Sequence, residues 1–381
     1  MLHTKKGMDM YKDYISDNQI KGINQQHNIM VIVGNGFDIS VLKKYRSDNL
    51  VSSYKVFYDF LQYRGINQDN LLFKKMTDDR AKNKQNWSDF EYSIYELLDE
   101  SYSAETLEDA LREIQASFLL FLNDVVTTDI SIRLNHDSEM YRYGQESLRG
   151  FIADLDKDDF LRMKFHRNTG HYHLFNYLFV NFNYTSLFDN YIYLDKQQFD
   201  PHPHKTVDTN FTFYPNPKSY GSYGTNKDTR WSTFLMSDVI HPHGYQNIPR
   251  SLLFGVESTK YQENRNAKRL IKSYWAQNNQ KYQSYFDNTE LFIVYGASLG
   301  VTDSWWWNNI FDSVLNKGSE LIIYSHSITD KAIVKSRFID ACQNSCSDAD
   351  RDAICDRIYV APIIEGKTVM LSMNGLSEAK A

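Results

Sequence analysis

Two glycines around an asparagine, Gly34-Asn35-Gly36, followed by Phe37 and Asp38, end the apolar run Met30-Val31-Ile32-Val33. A buried strand that stops in a glycine turn has the form of a phosphate-binding loop. Lacking Cβ atoms, Gly34 and Gly36 can take positive φ and let backbone N–H groups close on a pyrophosphate at the positive end of a following helix. The third glycine of a full dinucleotide fingerprint is missing, so the turn alone reads equally as a tight strand exit. The carboxylate of Asp38 would repel a pyrophosphate and suits a helix cap or a ribose hydroxyl instead.

Asn183, in Asn181-Phe182-Asn183-Tyr184-Thr185, stands just past a second apolar run, where its amide can orient a water or a sugar hydroxyl or close an Asx-type turn. His243, beside Gly244, suits general-base work near neutral pH, against a purely structural role at a strand end. Gly296 to Asp303 is a second glycine-containing strand exit. Asp303 reads as its helix N-cap, and Ser298 with nearby N–H groups as a site for the adenosine side of a dinucleotide. The pairs His171/His173, His202/His204 and His241/His243 have the alternation that points two rings to one face of a strand, as metal ligation needs, but no Cys or acidic cluster completes a set. No metal is predicted. Trp87-Ser88-Asp89-Phe90-Glu91 reads as a capping box, Ser88 at N-cap and Glu91 at N3, with Trp87 and Tyr92 as a hydrophobic staple.

These residues need elements to hold them. Strands are predicted at Asn28–Val33, Leu178–Asn181, Val239–Ile240, Leu252–Gly255, Leu291–Tyr295, Leu321–Tyr324 and Ile358–Val360. Helical spacing runs almost unbroken from Leu71 to Leu174. The helix after the glycine turn begins late, near Tyr54, and a long polar helix spans Tyr261 to Phe286. Helices at Ser304–Asn316 and Thr329–Cys342 alternate with the last strands, which indicates a parallel, doubly wound α/β sheet. The division is an N-terminal arm at 1–27, a core at 28–70 and 175–381, a helical insertion at 71–174, and a loop or lid at 196–235 that holds Pro201, Pro203, Pro215 and Pro217. Trp305-Trp306-Trp307 read as packing, with at least one ring exposed or at an interface, because three consecutive residues cannot share a helix face.

With 42 basic and 48 acidic residues the net charge is −6, which argues against general nucleic-acid binding and against an anionic membrane surface. Three cysteines, clustered late, build neither a disulfide framework nor a four-cysteine zinc site, and a reducing cytoplasm follows. No apolar run approaches the ~20 residues of a membrane helix.

In order and spacing, Gly34 to Asp38, Trp87 to Glu91, Phe182 to Thr185, His241 to Gly244, Phe254-Gly255 and Gly296 to Asp303 resemble the bacterial abortive-infection AbiH family. The same order is similar to the sirtuin-type NAD-binding superfamily, which implies a Rossmann-like, sirtuin-like core. The resemblance puts Gly34, Asn35, Gly36, Phe37 and Asp38 at the phosphate turn, Asn183 at the nicotinamide ribose with Thr185 beside it, and His243 at the catalytic histidine. Ser298 and Leu299 fall on the adenosine-side loop, with Asp303 as a further candidate for binding the dinucleotide. Thr185, Asn181 and Asp38 stand where that superfamily carries Asp, Thr and Ser. Defence proteins of this type without the four-cysteine module are typically NAD hydrolases, so the implied activity is cleavage of NAD to ADP-ribose and nicotinamide. A phage-derived trigger, a homo-oligomer or a defence-system partner is implied as control, because unchecked NAD loss poisons the host. The alternatives are a non-catalytic sensor of NAD or ADP-ribose controlling a partner and, with only the histidine pairs for support, a metal-dependent nuclease.

Overall fold

The computed structural model describes residues 10–16, 22–100, 102–193, 209–220, 229–257, 267–326, 330–342 and 347–374. Its centre is a seven-stranded sheet of β1 (Gln25–Val33), β2 (His173–Asn181), β3 (Phe211–Phe213), β4 (Trp231–Ile240), β5 (Leu291–Tyr295), β6 (Glu320–Ser325) and β7 (Ile358–Pro362). The order is β3-β4-β2-β1-β5-β6-β7; every neighbouring pair is parallel except the edge pair β3–β4. From β1 the chain fills one flank with β2 and β4, then crosses back to add β5, β6 and β7 on the other. Val33 pairs with both Asn181 and Tyr295, so three strands end at one level and deliver their exit loops to one edge.

The strands are apolar because both sheet faces are covered. Along β1, Ile29, Val31 and Val33 enter one core, whereas Met30 and Ile32 enter the other, as the two-residue period requires. The first core lies under α1 (Asn35–Tyr45) and the helices between β1 and β2: α2 (Tyr54–Arg64), α3 (Leu71–Ala81), α4 (Phe90–Asp99), α5 (Ala104–Val125), α6 (Thr128–Tyr141), α7 (Tyr143–Gly150) and α8 (Lys157–Arg162). In α5, Ser103 caps the start by accepting from Thr106 N–H, and Leu107, Leu111, Ile114, Phe118 and Leu122 form the buried stripe. After β2 come α9 (Leu187–Ile192) and the short turns α10 (Lys272–Ala276), α11 (Asn278–Lys281) and α12 (Gln283–Asp287). α12 joins α13 (Ser304–Lys317), α14 (Lys331–Ala341) and α15 (Asp348–Cys355) over the second core, where Trp306 and Trp307 are buried and Trp305 is half-buried. Among the described residues no helix is long and apolar enough to cross a membrane.

Several expectations change. β1 starts at Gln25 and β2 at His173, earlier than their apolar cores suggest. α1 follows the glycine turn at once, starting at Asn35. Leu252–Gly255 is an extended loop, anchored by Leu253 N–H to His243 O, and makes no strand. In place of one helix at Tyr261–Phe286, the described part breaks into a 3-10 turn and three short helices; Gln277, at φ 56, interrupts them. The 196–235 segment is not loop throughout, since β3 and the start of β4 fall inside it. Pro201, Pro203, His202, His204, Thr329 and Cys346 lie outside the described residues.

Candidate functional site

Where β1, β2 and β5 end together, a cleft of about 710 Å³ opens. Ten of the eleven predicted site residues line it: Gly34, Asn35, Gly36, Asp38, Asn183, Thr185, His243, Ser298, Leu299 and Asp303. Phe37 does not; it is fully buried and packs edge-on against Phe188 and Tyr191 under the sheet.

The glycine turn is built differently from a phosphate nest. Gly34 has φ −101, and Gly36 is not among the residues with positive φ. Their N–H groups are taken by Tyr295 O at 2.8 Å and Gly296 O at 2.9 Å. The glycines are needed for contact, since a Cβ on Gly34 would sit 2.5 Å from Ala297 Cα, and one on Gly36 2.7 Å from Gly296 Cα. The β1 exit therefore presses against the β5 exit, backbone on backbone. Asn35 ties the turn to the following loop, donating to Ser52 O at 2.7 Å and accepting from Ser52 Oγ at 2.6 Å.

At the β2 exit, Asn181 Oδ1 accepts from Asn183 N–H at 3.0 Å, an Asx turn that aims Asn183 across the cleft mouth. Asn183 Nδ2 donates to Gly34 O at 3.2 Å, which leaves its Oδ1 for another donor. Asp38, only 1% exposed, accepts from Thr185 Oγ1 at 2.6 Å through Oδ2, while its Oδ1 has no partner. Burial pushes the Asp38 carboxyl up to about 7, against the opposing hydrogen bond from Thr185.

His243 and Asp303 meet through Nε2 and Oδ1 at 3.2 Å, with the imidazole stacked on Phe182 at 4.5 Å between centroids. Asp303 stands at the N-cap position of α13 but makes no cap bond. Its Oδ1 instead holds buried Lys272 at 2.7 Å, and Lys272 reaches Glu91 Oε1 at 3.2 Å. Burial alone would raise Asp303 and lower Lys272; their attraction, with help from His243 and Glu91, reverses both. Both are charged. Glu91 also accepts from Gly255 N–H at 3.1 Å and from the Tyr54 hydroxyl at 3.1 Å. The capping box is thereby corrected: Asp89 is the N-cap of α4, accepting from Tyr92 N–H, and Glu91 turns inward. Trp87 leaves Tyr92 and packs edge-on against Tyr58.

In the sequence Glu91 has the look of a cap, and its place in the ordered motif set is the one signal of its role at the site. Lys272, set in a polar run, carries no such signal. In the two described histidine pairs each ring takes a partner of its own. His171 accepts from Ser232 N–H, His173 bonds His27, His241 bonds Asp189 and His243 bonds Asp303. Among the described residues no group of three His, Cys, Asp or Glu side chains is placed to hold a metal ion.

No curated protein matches the chain. The sequence profile of a family described as bacteriophage abortive infection AbiH matches residues 30–325, more than three quarters of the chain, and runs from inside β1 to the end of β6. It thus spans the segments that line the cleft from the glycine turn through Ser325. The chain belongs to the AbiH family, and with that membership comes a role in bacteriophage abortive infection.

Proposed function

We propose that the cleft binds a nicotinamide dinucleotide and hydrolyses its glycosidic bond, releasing nicotinamide and ADP-ribose as the step that aborts infection. One observation carries the reading: Asn183 and the His243–Asp303 pair converge beside the N-terminus of α1, in one cleft at the carboxyl ends of parallel strands. The order β4-β2-β1-β5-β6-β7 reproduces that of doubly wound dinucleotide-binding sheets, whose ligands sit where the order reverses, here at β1. The cleft volume falls in the usual range for small-molecule sites.

In this reading the C1′–N bond breaks, nicotinamide leaves as a neutral base, and the ribose develops oxocarbenium character. Asn183 Oδ1 accepts from a ribose hydroxyl or from the attacking water. His243, oriented by Asp303 through Nε2, takes the water proton at Nδ1 as the oxygen bonds to C1′. The unpartnered Oδ1 of Asp38, on a carboxyl that burial raises to about 7, hydrogen-bonds a ribose hydroxyl. A phage-derived trigger, or assembly with a partner or second copy, gates the activity.

The test incubates the purified chain with NAD, alone and with phage-infected lysate, and follows nicotinamide and ADP-ribose by chromatography. Asn183→Ala and His243→Ala are each expected to lower turnover at least roughly tenfold with unchanged circular dichroism. Undiminished turnover in both variants removes the assignments. Binding without product makes the cleft a dinucleotide sensor.

A further inference from the structure

The cleft is chemically two-ended. Its carboxylates Asp38, Asp89, Glu91 and Asp303 lie with His243 toward β2, α4 and the β4 exit. The opposite end lies over β6 and is lined by Ser325, His326, Lys43 and Arg337, with no carboxylate among its lining residues. Sheet order makes the separation a matter of topology: β6 lies three positions from β2, roughly 14 Å at the spacing of neighbouring strands.

Three elements converge on that end. On α1, Gly36, Ser40 and Lys43 follow one helix face and all line the cleft, so Lys43 stands about 12 Å along the axis from Asn35. On α14, Val334 and Arg337 share a face in the same way. The β6 exit brings His326 to the same lining, close enough to Lys43 for the lysine charge to act on the imidazole. Lys43 and Arg337 are exposed, and neither makes an ion pair among the described residues. Other cations nearby are committed: Lys44 donates to Tyr143, and Lys331 to Asp159.

A dinucleotide whose nicotinamide riboside lies at His243 extends its adenosine toward β6. For an unmodified adenosine ribose, doubly wound sheets commonly supply a carboxylate to the 2′-hydroxyl, and for a 2′-phosphate an arginine. This end has the second arrangement. We propose that the preferred ligand carries a phosphate on its adenosine ribose, as NADP does, held by Lys43 and Arg337 beside His326. The inference rests on the dinucleotide reading of the cleft and adds the identity of its ligand. The second phosphate position is separate from the α1 N-terminus by the length of α1 between Asn35 and Lys43, so the pyrophosphate and the ribose phosphate are engaged apart.

The experiment measures binding of NAD and NADP to the full chain by titration calorimetry, and nicotinamide release from each. Wild-type protein is expected to favour NADP at least roughly tenfold, the scale of one charge-assisted phosphate contact. In Lys43→Ala/Arg337→Ala that ratio is expected to collapse toward one, and Lys43→Arg is expected to keep most of it. Equal or better use of NAD by the wild type, or a double variant that loses both ligands in the same proportion, overturns the inference and leaves the dinucleotide reading standing. A wild type that neither binds nor cleaves either ligand brings down both.

Discussion

Asp38 shows how one residue joins folding to chemistry. Its carboxyl is buried, satisfied on one oxygen by Thr185 and bare on the other, an arrangement that costs stability once the group ionises. In the unfolded chain it titrates near 3.8, whereas in the folded protein burial raises it to about 7. Between those values only the folded state holds the proton, so the contribution to stability is whole below 3.8 and is lost as pH rises to about 7. Asp89, raised by burial to about 7, adds in the same direction. Between about pH 4 and about pH 7 the wild type is therefore expected to lose melting temperature relative to Asp38→Asn, which cannot ionise, and the difference to level off above that window. Parallel pH profiles for wild type and variant would contradict the burial argument. Asp38 was legible in the sequence as part of the glycine-turn motif; its solitude was not, because that depends on Thr185, far along the chain.

At the scale of elements, the decisive contact is between two strand exits. The β1 exit at Gly34 and the β5 exit at Gly296 meet through backbone atoms alone, which places α1 and the Ser298 loop on either side of one cleft. Gly34→Ala would put a Cβ 2.5 Å from Ala297 Cα and 2.6 Å from Gly296 O, and no side chain there can move aside. A loss of about 1–3 kcal/mol is expected from chemical denaturation. Gly300→Ala, whose nearest neighbours would lie 3.5 Å away, is expected to stay within about 0.5 kcal/mol. Equal effects would mean that the close approach is not what the glycine serves. Among residues 267–286, Lys272 at the start of α10 sits between Glu91 and Asp303, and Gln277 at φ 56 separates α10 from α11, so no single helix forms.

At the scale of the molecule, ligand binding and folding draw on the same edge. A dinucleotide in the cleft would bridge α1, the β2 exit, the β5 exit and β6, so it adds to global stability. At a concentration one hundred times its Kd the gain is about 2.7 kcal/mol, readable as a rise in melting temperature with NAD or NADP. No rise at saturating ligand would contradict the cleft as a dinucleotide site. The alternating α/β architecture, the central apolar strands and ten of the residues that line the cleft were legible in the sequence. Buried strands and tight exits impose patterns local enough to read without a structure. Tertiary packing is what turns Phe37 to the core, brings Glu91 and Lys272 into the charged chain behind His243, and gives the cleft an acidic and a cationic end. Each depends on side chains separated widely along the chain, and their encounter is set by strand order and helix packing, which no local pattern encodes.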